Sequence, residues 1–225
     1  MEFIDYKKRI IKHNDPIIMI DKYHFNYNAI FSKIAGLDDF TRVSYSLNIE
    51  NRAIRFSFHS NDIDEFSYLI SNFKNKKTYR STSGSLVNDH LWIKSVALLK
   101  DTSERKFKAI RIGMKNEWFI KLIPSFELKF KVNEVNQIPT SMEGIYQYRD
   151  ENNKIIYIGK GNIRTRIKEI GRLSDWDISI IEVSEIGSEA LQFEWENYWI
   201  NRFMEKNNGK LPFHNRNQGN KSNNR

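Results

Sequence analysis

Two short alternating runs, Gly144 to Tyr148 and Lys154 to Gly159, are separated by Asp150-Glu151-Asn152-Asn153, a stretch that together makes a strong turn signal. Alternation on both sides of a turn predicts an antiparallel hairpin, and no other stretch restricts the chain so closely. A symmetric turn sets Tyr146 opposite Tyr157, with Cβ atoms about 5 Å apart and both phenols on one face. Gly144 and Gly159 each lie two residues from a tyrosine. Glycine weakens a strand unless something approaches the backbone closely there, so the pair predicts room for a substrate.

After Gly159, Lys160-Gly161-Asn162 leads into a helix over Ile163 to Leu173, with Asn162 as its N-cap. A strand is expected over Ile178 to Val183 and a helix over Glu189 to Phe203. On that last helix Phe193, Glu196, Ile200 and Phe203 follow a helical spacing, so a carboxylate interrupts an apolar row. A carboxylate in such a place is costly unless it is paired or binds a metal. Glu194 shares the other face with Asn197 and Asn201.

Upstream, the pattern predicts a helix over Glu2 to His13 and strands over Val43 to Leu47 and Ile54 to Phe58, joined around Glu50-Asn51. A helix over Ile63 to Phe73 follows, with Phe66, Leu69, Ile70 and Phe73 on one side. Further strands are expected near Leu91 to Leu99, Lys106 to Ile112 and Trp118 to Ile123. The polar, proline-bearing segment 133–142 marks a boundary. The expected organisation is therefore α+β in two parts: an α+β domain over residues 1–135, and over 136–225 a small antiparallel sheet flanked by helices and ending in a polar tail.

Composition narrows the chemistry. The chain has no cysteine, which removes disulfides, thiolate metal sites and cysteine nucleophiles, and its five histidines show no metal-ligand spacing. Any metal must be held by oxygen. The absence of an apolar run long enough for a membrane span, and of a signal-peptide core, leads to the expectation of a cytoplasmic protein. Of the formal charge of +8, residues 1–135 carry +7, from 23 Lys and Arg against 16 Asp and Glu. Such an excess suits a polyanionic partner. Its densest cluster is Lys74, Lys76, Lys77 and Arg80, a candidate phosphate contact or simply a solvated loop.

Gly144-Ile145-Tyr146 and Tyr157-Ile158-Gly159, with ten residues between them, resemble the two signature strands of the GIY-YIG nucleases. Asn162, Ile163 and Arg166 resemble the arginine helix of that family, although the link from Gly159 is one residue shorter than is common. Glu196-Asn197-Tyr198-Trp199-Ile200 resembles the stretch around its metal-binding glutamate, and Pro212 to Asn215 its closing motif. These elements fall in family order over roughly residues 143–217.

The resemblance implies a metal-dependent endonuclease that hydrolyses phosphodiester bonds in DNA. It implies that Glu196 holds one Mg²⁺ or Mn²⁺, that Tyr146 is the general base, and that Arg166 stabilises the transition state. Tyr157 then hydrogen-bonds at the site and Asn215 orients its neighbours. Lys160 or Arg166 is expected to lower the pKa of Tyr146, and Arg164 is a further candidate DNA contact. Because the nuclease part follows the basic region, a site-specific, restriction-like enzyme is the first expectation. A structure-specific repair or recombination nuclease and a catalytically silent DNA-binding protein are the alternatives. A homodimer suits two-strand cleavage, but no dimer seam is legible.

Overall fold

The computed structural model describes residues 15–61, 66–72, 78–113, 116–169 and 171–216. The helix expected over Glu2 to His13, the polar tail, and Lys74, Lys76 and Lys77 lie outside them. The fold is α+β, and every strand pairing among the described residues is antiparallel. No helix of the described residues is long and apolar enough to cross a membrane.

Nine strands form the first sheet: β1 (Ile17–Ile20), β2 (His24–Tyr27), β3 (Arg42–Asn48), β4 (Ala53–His59), β5 (Tyr68–Asn72), β6 (Tyr79–Thr82), β7 (Lys106–Lys108), β8 (Ile110–Arg111) and β9 (Glu117–Lys121). They run in the order β7-β1-β2-β6-β5-β3-β4-β9-β8. The two outermost strands are consecutive in the chain, and between them only Ala109 intervenes, its N–H donating to the Pro16 carbonyl. One stretch of chain thus hydrogen-bonds both ends of the sheet and closes it into a barrel, which removes the free edges that an open sheet exposes. Alternate residues of these strands, among them Ile18, Ile20, Phe25, Tyr27, Ile54, Phe56 and Phe58, fill its core. Phe31 and Ala35 of α1 (Ala29–Ala35) join that core, and α2 (Gly84–Asp89) contributes Val87.

Two upstream elements differ from expectation. Leu91–Ala97 is a helix, α3, not a strand, because its buried residues Ile93, Val96 and Ala97 fall at helical spacing. The segment expected as a helix from Ile63 contains β5. Tyr68 and Ile70 turn inward on a period of two, while Phe66 (72% exposed) and Leu69 point outward, so the residues that suggested one helical face do not share one.

The second sheet has the order β10-β13-β11-β12, formed by Leu128–Lys131, Ile180–Glu185, Glu143–Arg149 and Ile155–Asn162 respectively. Its outer strand β10 lies upstream of the boundary expected at residue 135, and a 3₁₀ turn over Val132–Gln137 leads back to β11. Two short helices, α4 (Ile163–Ile167) and α5 (Arg172–Asp175), follow β12, and the long α6 (Glu189–Lys206) packs across β11 and β12.

Helix α6 also ties the second sheet to the barrel. Glu194 pairs with Lys121 of β9 at 3.2 Å, Arg202 and Lys206 reach Glu104 at 2.9 and 3.2 Å, and the Trp199 indole donates to the Pro124 carbonyl. Beside it Arg52, from the β3–β4 turn, meets Glu127 at 2.5 Å and donates to the Glu185 carbonyl, all within a buried seam. Breaking one partner of such a pair strands the other charge, so the seam disfavours separation of the two parts.

Candidate active-site cleft

The hairpin of β11 and β12 forms as expected, but its register does not. Asp150 pairs with Lys154 across a turn in which Asn153 takes φ +62°, and a bulge follows at Tyr148 and Arg149. The turn closed by Asp150 and Lys154 shifts the pairing by one residue and the extra residue on β12 by one more, so Tyr148, not Tyr146, stands opposite Tyr157, and Tyr146 opposite Gly159. Tyr146 and Tyr157 are diagonal neighbours, with ring centroids 6.0 Å apart.

The glycines also serve a different purpose from the one expected. A Cβ on Gly159 would stand 2.6 Å from the Tyr157 ring and 2.8 Å from the Tyr146 hydroxyl, so this glycine makes room for the tyrosines. A Cβ on Gly144 would meet the Ser184 carbonyl of β13 at 2.0 Å, so that glycine allows the two strands to approach.

A cleft of about 460 Å³ opens beside the hairpin, lined by Tyr157, Lys160, Arg166, Glu196 and Asn215 together with Arg172, Trp176, Ile200, His214 and Arg216. Five residues far apart in the chain and singled out by the sequence therefore share one wall. Tyr146 is not on that wall. It is 1% exposed and lies one layer beneath, its hydroxyl accepting from Arg172 Nη1 at 3.2 Å.

Arg172 was not visible as a site residue. The helix expected over Ile163 to Leu173 breaks after α4, and Gly171 at φ +84° redirects the chain into α5. The break brings the Arg172 guanidinium over the rings of Tyr157 and Trp176, at 5.1 and 5.2 Å from their centroids, and against Glu169 at 2.6 Å. A glycine inside an otherwise helical pattern was the available signal.

The electrostatics of Tyr146 reverse the expectation. Burial, reinforced by the neighbouring phenols of Tyr148 and Tyr157, holds its pKa well above the ordinary phenol value, and Arg172 offsets only part of this. The cation in contact with it is Arg172, not Lys160 or Arg166. Lys160 instead places its ammonium 3.3 Å from the centroid of the Phe193 ring on α6, and Arg166 pairs with Glu169 at 2.6 Å.

Glu196 is half-buried on the α6 face turned to the cleft. Among the described residues it makes no hydrogen bond and no ion pair within 4 Å, whereas Glu194 is committed to Lys121. Burial raises its pKa, and the charges of Lys160 and Arg166 offset this in part. Among the described residues no three of His, Cys, Asp and Glu cluster to form a metal site. A lone carboxylate suits a hard divalent ion that keeps most of its water, so the donor set fits Mg²⁺ or Mn²⁺ and not a tightly caged metal.

Asn215 works through backbone. Its Oδ1 accepts from Ile158 N–H at 2.9 Å and its Nδ2 donates to the Ile158 carbonyl at 2.8 Å, while His214 N–H donates to the Ile156 carbonyl. Residues 214 and 215 thus cover the free edge of β12 behind Tyr157. Arg164 turns away from the cleft wall, reaching the Ile138 carbonyl and Asn136 at 3.3 and 3.4 Å. Arg80 lies on β6 in the barrel sheet, apart from this cleft.

Comparison of the chain with protein-family models, with curated proteins and with solved structures finds no match.

Proposed function

We propose that the part of the chain built on the second sheet is a GIY-YIG-type nuclease that hydrolyses phosphodiester bonds in DNA with one divalent cation, and that the basic barrel serves target recognition. The observation that carries this reading is a half-buried carboxylate without a partner among the described residues, Glu196, sharing a cleft with Lys160, Arg166, Arg172 and Tyr157. An unpaired carboxylate among cations that do not touch it has a reason to stand there if a cation comes with the substrate.

In this reading Glu196 holds Mg²⁺ or Mn²⁺. Such an ion, when bound, supplies charge neutralisation at the phosphate and acidifies a water. Arg166, half-exposed and tethered only by Glu169, offers its planar fork to a phosphate oxygen. Tyr157 donates from the cleft wall, and Asn215 fixes the strand that carries it. Tyr146, buried beneath the wall with its pKa raised, stays a protonated phenol whose oxygen accepts from Arg172 and so holds that guanidinium at the cleft. The proton of the attacking water passes to solvent through the open cleft. The order of recognition part before nuclease part favours a site-specific, restriction-like enzyme.

The test is plasmid nicking with Mg²⁺ and with EDTA by the wild type and by Glu196→Gln. Mg²⁺-dependent nicking that the substitution abolishes, with DNA binding retained, is the expected result. Absence of nicking across duplex, flap and single-stranded substrates would leave a DNA-binding protein without catalysis. Sequencing of cleavage ends from a complex DNA pool then separates fixed-sequence from structure-directed cutting.

A further inference from the structure

Phe213 is 82% exposed, more than any other large hydrophobic residue among those described, and it adjoins His214, which lines the cleft. Its ring meets His214 edge to face at 4.8 Å between centroids, and His214 lies flat on Trp176 at 4.1 Å with 7° between the planes. Trp176 in turn touches Tyr157 at 5.2 Å. A row of aromatic rings therefore runs from the buried phenols, through the cleft-lining Trp176 and His214, to an exposed ring next to them.

His214 and Arg216 both line the cleft, and Lys160, Arg166 and Arg172 lie along the same wall. A strand whose phosphates follow these cations brings its bases to the aromatic row. Burial lowers the pKa of His214, so near neutral pH the ring next to Phe213 is the uncharged imidazole and offers a plain stacking face. The cost of leaving an apolar ring in water next to a cleft-lining imidazole is offset if a nucleobase covers it. Phe213 has no place in the catalytic chemistry and makes no other ring contact among the described residues.

Building on the nuclease reading, we propose that Phe213, backed by His214 and Trp176, is a base-stacking subsite that takes up a nucleobase removed from the helical stack next to the phosphate in the cleft. The substrate class is then DNA that presents an unstacked nucleotide at the point of cleavage, either already single-stranded or opened by the enzyme.

The experiment measures binding of the full chain in EDTA, so that its readout is independent of cleavage. Two probes carry the same number of phosphates: a single-stranded oligodeoxyadenylate and an abasic strand of equal length. Stacking on one aromatic side chain predicts that the wild type favours the base-bearing strand by about tenfold. Phe213→Ala should abolish that preference and leave affinity for the abasic strand unchanged, and Phe213→Trp should keep it. A 2-aminopurine strand should lose fluorescence on binding to the wild type and keep it with Phe213→Ala. Equal affinity of the wild type for both strands, or an equal loss on both in Phe213→Ala, overturns the subsite. The nuclease reading stands or falls separately, on Mg²⁺-dependent nicking.

Discussion

Asn215→Ala tests whether the segment after α6 holds the strand of the site. The substitution removes two hydrogen bonds, at 2.9 and 2.8 Å, from the N–H and carbonyl of a residue, Ile158, that is almost wholly buried. Neutral hydrogen bonds contribute about 1 kcal/mol each, and more where water cannot replace the lost partner, so the cost is at least about 2 kcal/mol. For a chain of this size that corresponds to a fall in Tm of roughly 4–8 °C by calorimetry. Amide exchange should accelerate at Ile158. Asn215→Asp sharpens the test: it keeps the acceptor for Ile158 N–H but turns a carboxylate oxygen towards the Ile158 carbonyl. Only the protonated acid restores the donor, so the folded state should hold that proton more tightly than the unfolded one. Its deficit should then shrink as pH falls through the raised folded pKa and grow again above it. A Tm within about 1 °C of wild type for Asn215→Ala, or a deficit in Asn215→Asp that ignores pH, would refute the bonding described.

Two further outcomes follow from the same region. Burial raises the pKa of Glu196, so between its unfolded and folded values the native state binds the extra proton and stability declines as pH rises through the folded pKa. Glu196→Gln should remove that decline, match or exceed wild-type Tm at neutral pH, and, if the proposed ion site is right, lack the Tm increase with Mg²⁺ that is expected of the wild type. The glycines should separate cleanly in a paired thermal-melt and nicking assay. Gly144→Ala drives a methyl into the Ser184 carbonyl and should prevent folding, whereas Gly159→Ala displaces two phenol rings and should abolish nicking in a protein that still folds.

What could be read from the chain was local. The hairpin needed only alternation and a turn signal, and Glu196 stood out because a carboxylate interrupts an apolar row on a long helix. Asn215 and Arg166 were singled out by the resemblance alone, and both line the cleft with Glu196, Lys160 and Tyr157. The register was misread because it depends on the length of the turn and on a bulge at Ile156, neither of which the four turn residues fix. Arg172 and Trp176 were missed because the helix was carried through Gly171. His214 lies flat on Trp176, a contact between segments remote in sequence that no local pattern announces. Closure of the barrel likewise depends on one stretch that meets β1 with its first half and β9 with its second, a pairing without local signature.

The two-sided use of α6 limits how freely these parts could be exchanged. A fragment begun at residue 136 would lack Phe126 and Pro124, leaving Trp195 and Trp199 uncovered, and would lack β10, leaving β13 with an open edge. Transplanting this C-terminal unit onto another domain would therefore mean carrying the segment from Ile123 onward and a replacement for the barrel surface that Glu194 and Arg202 grip. Evolutionary reshuffling of such a protein would be constrained at the same seam.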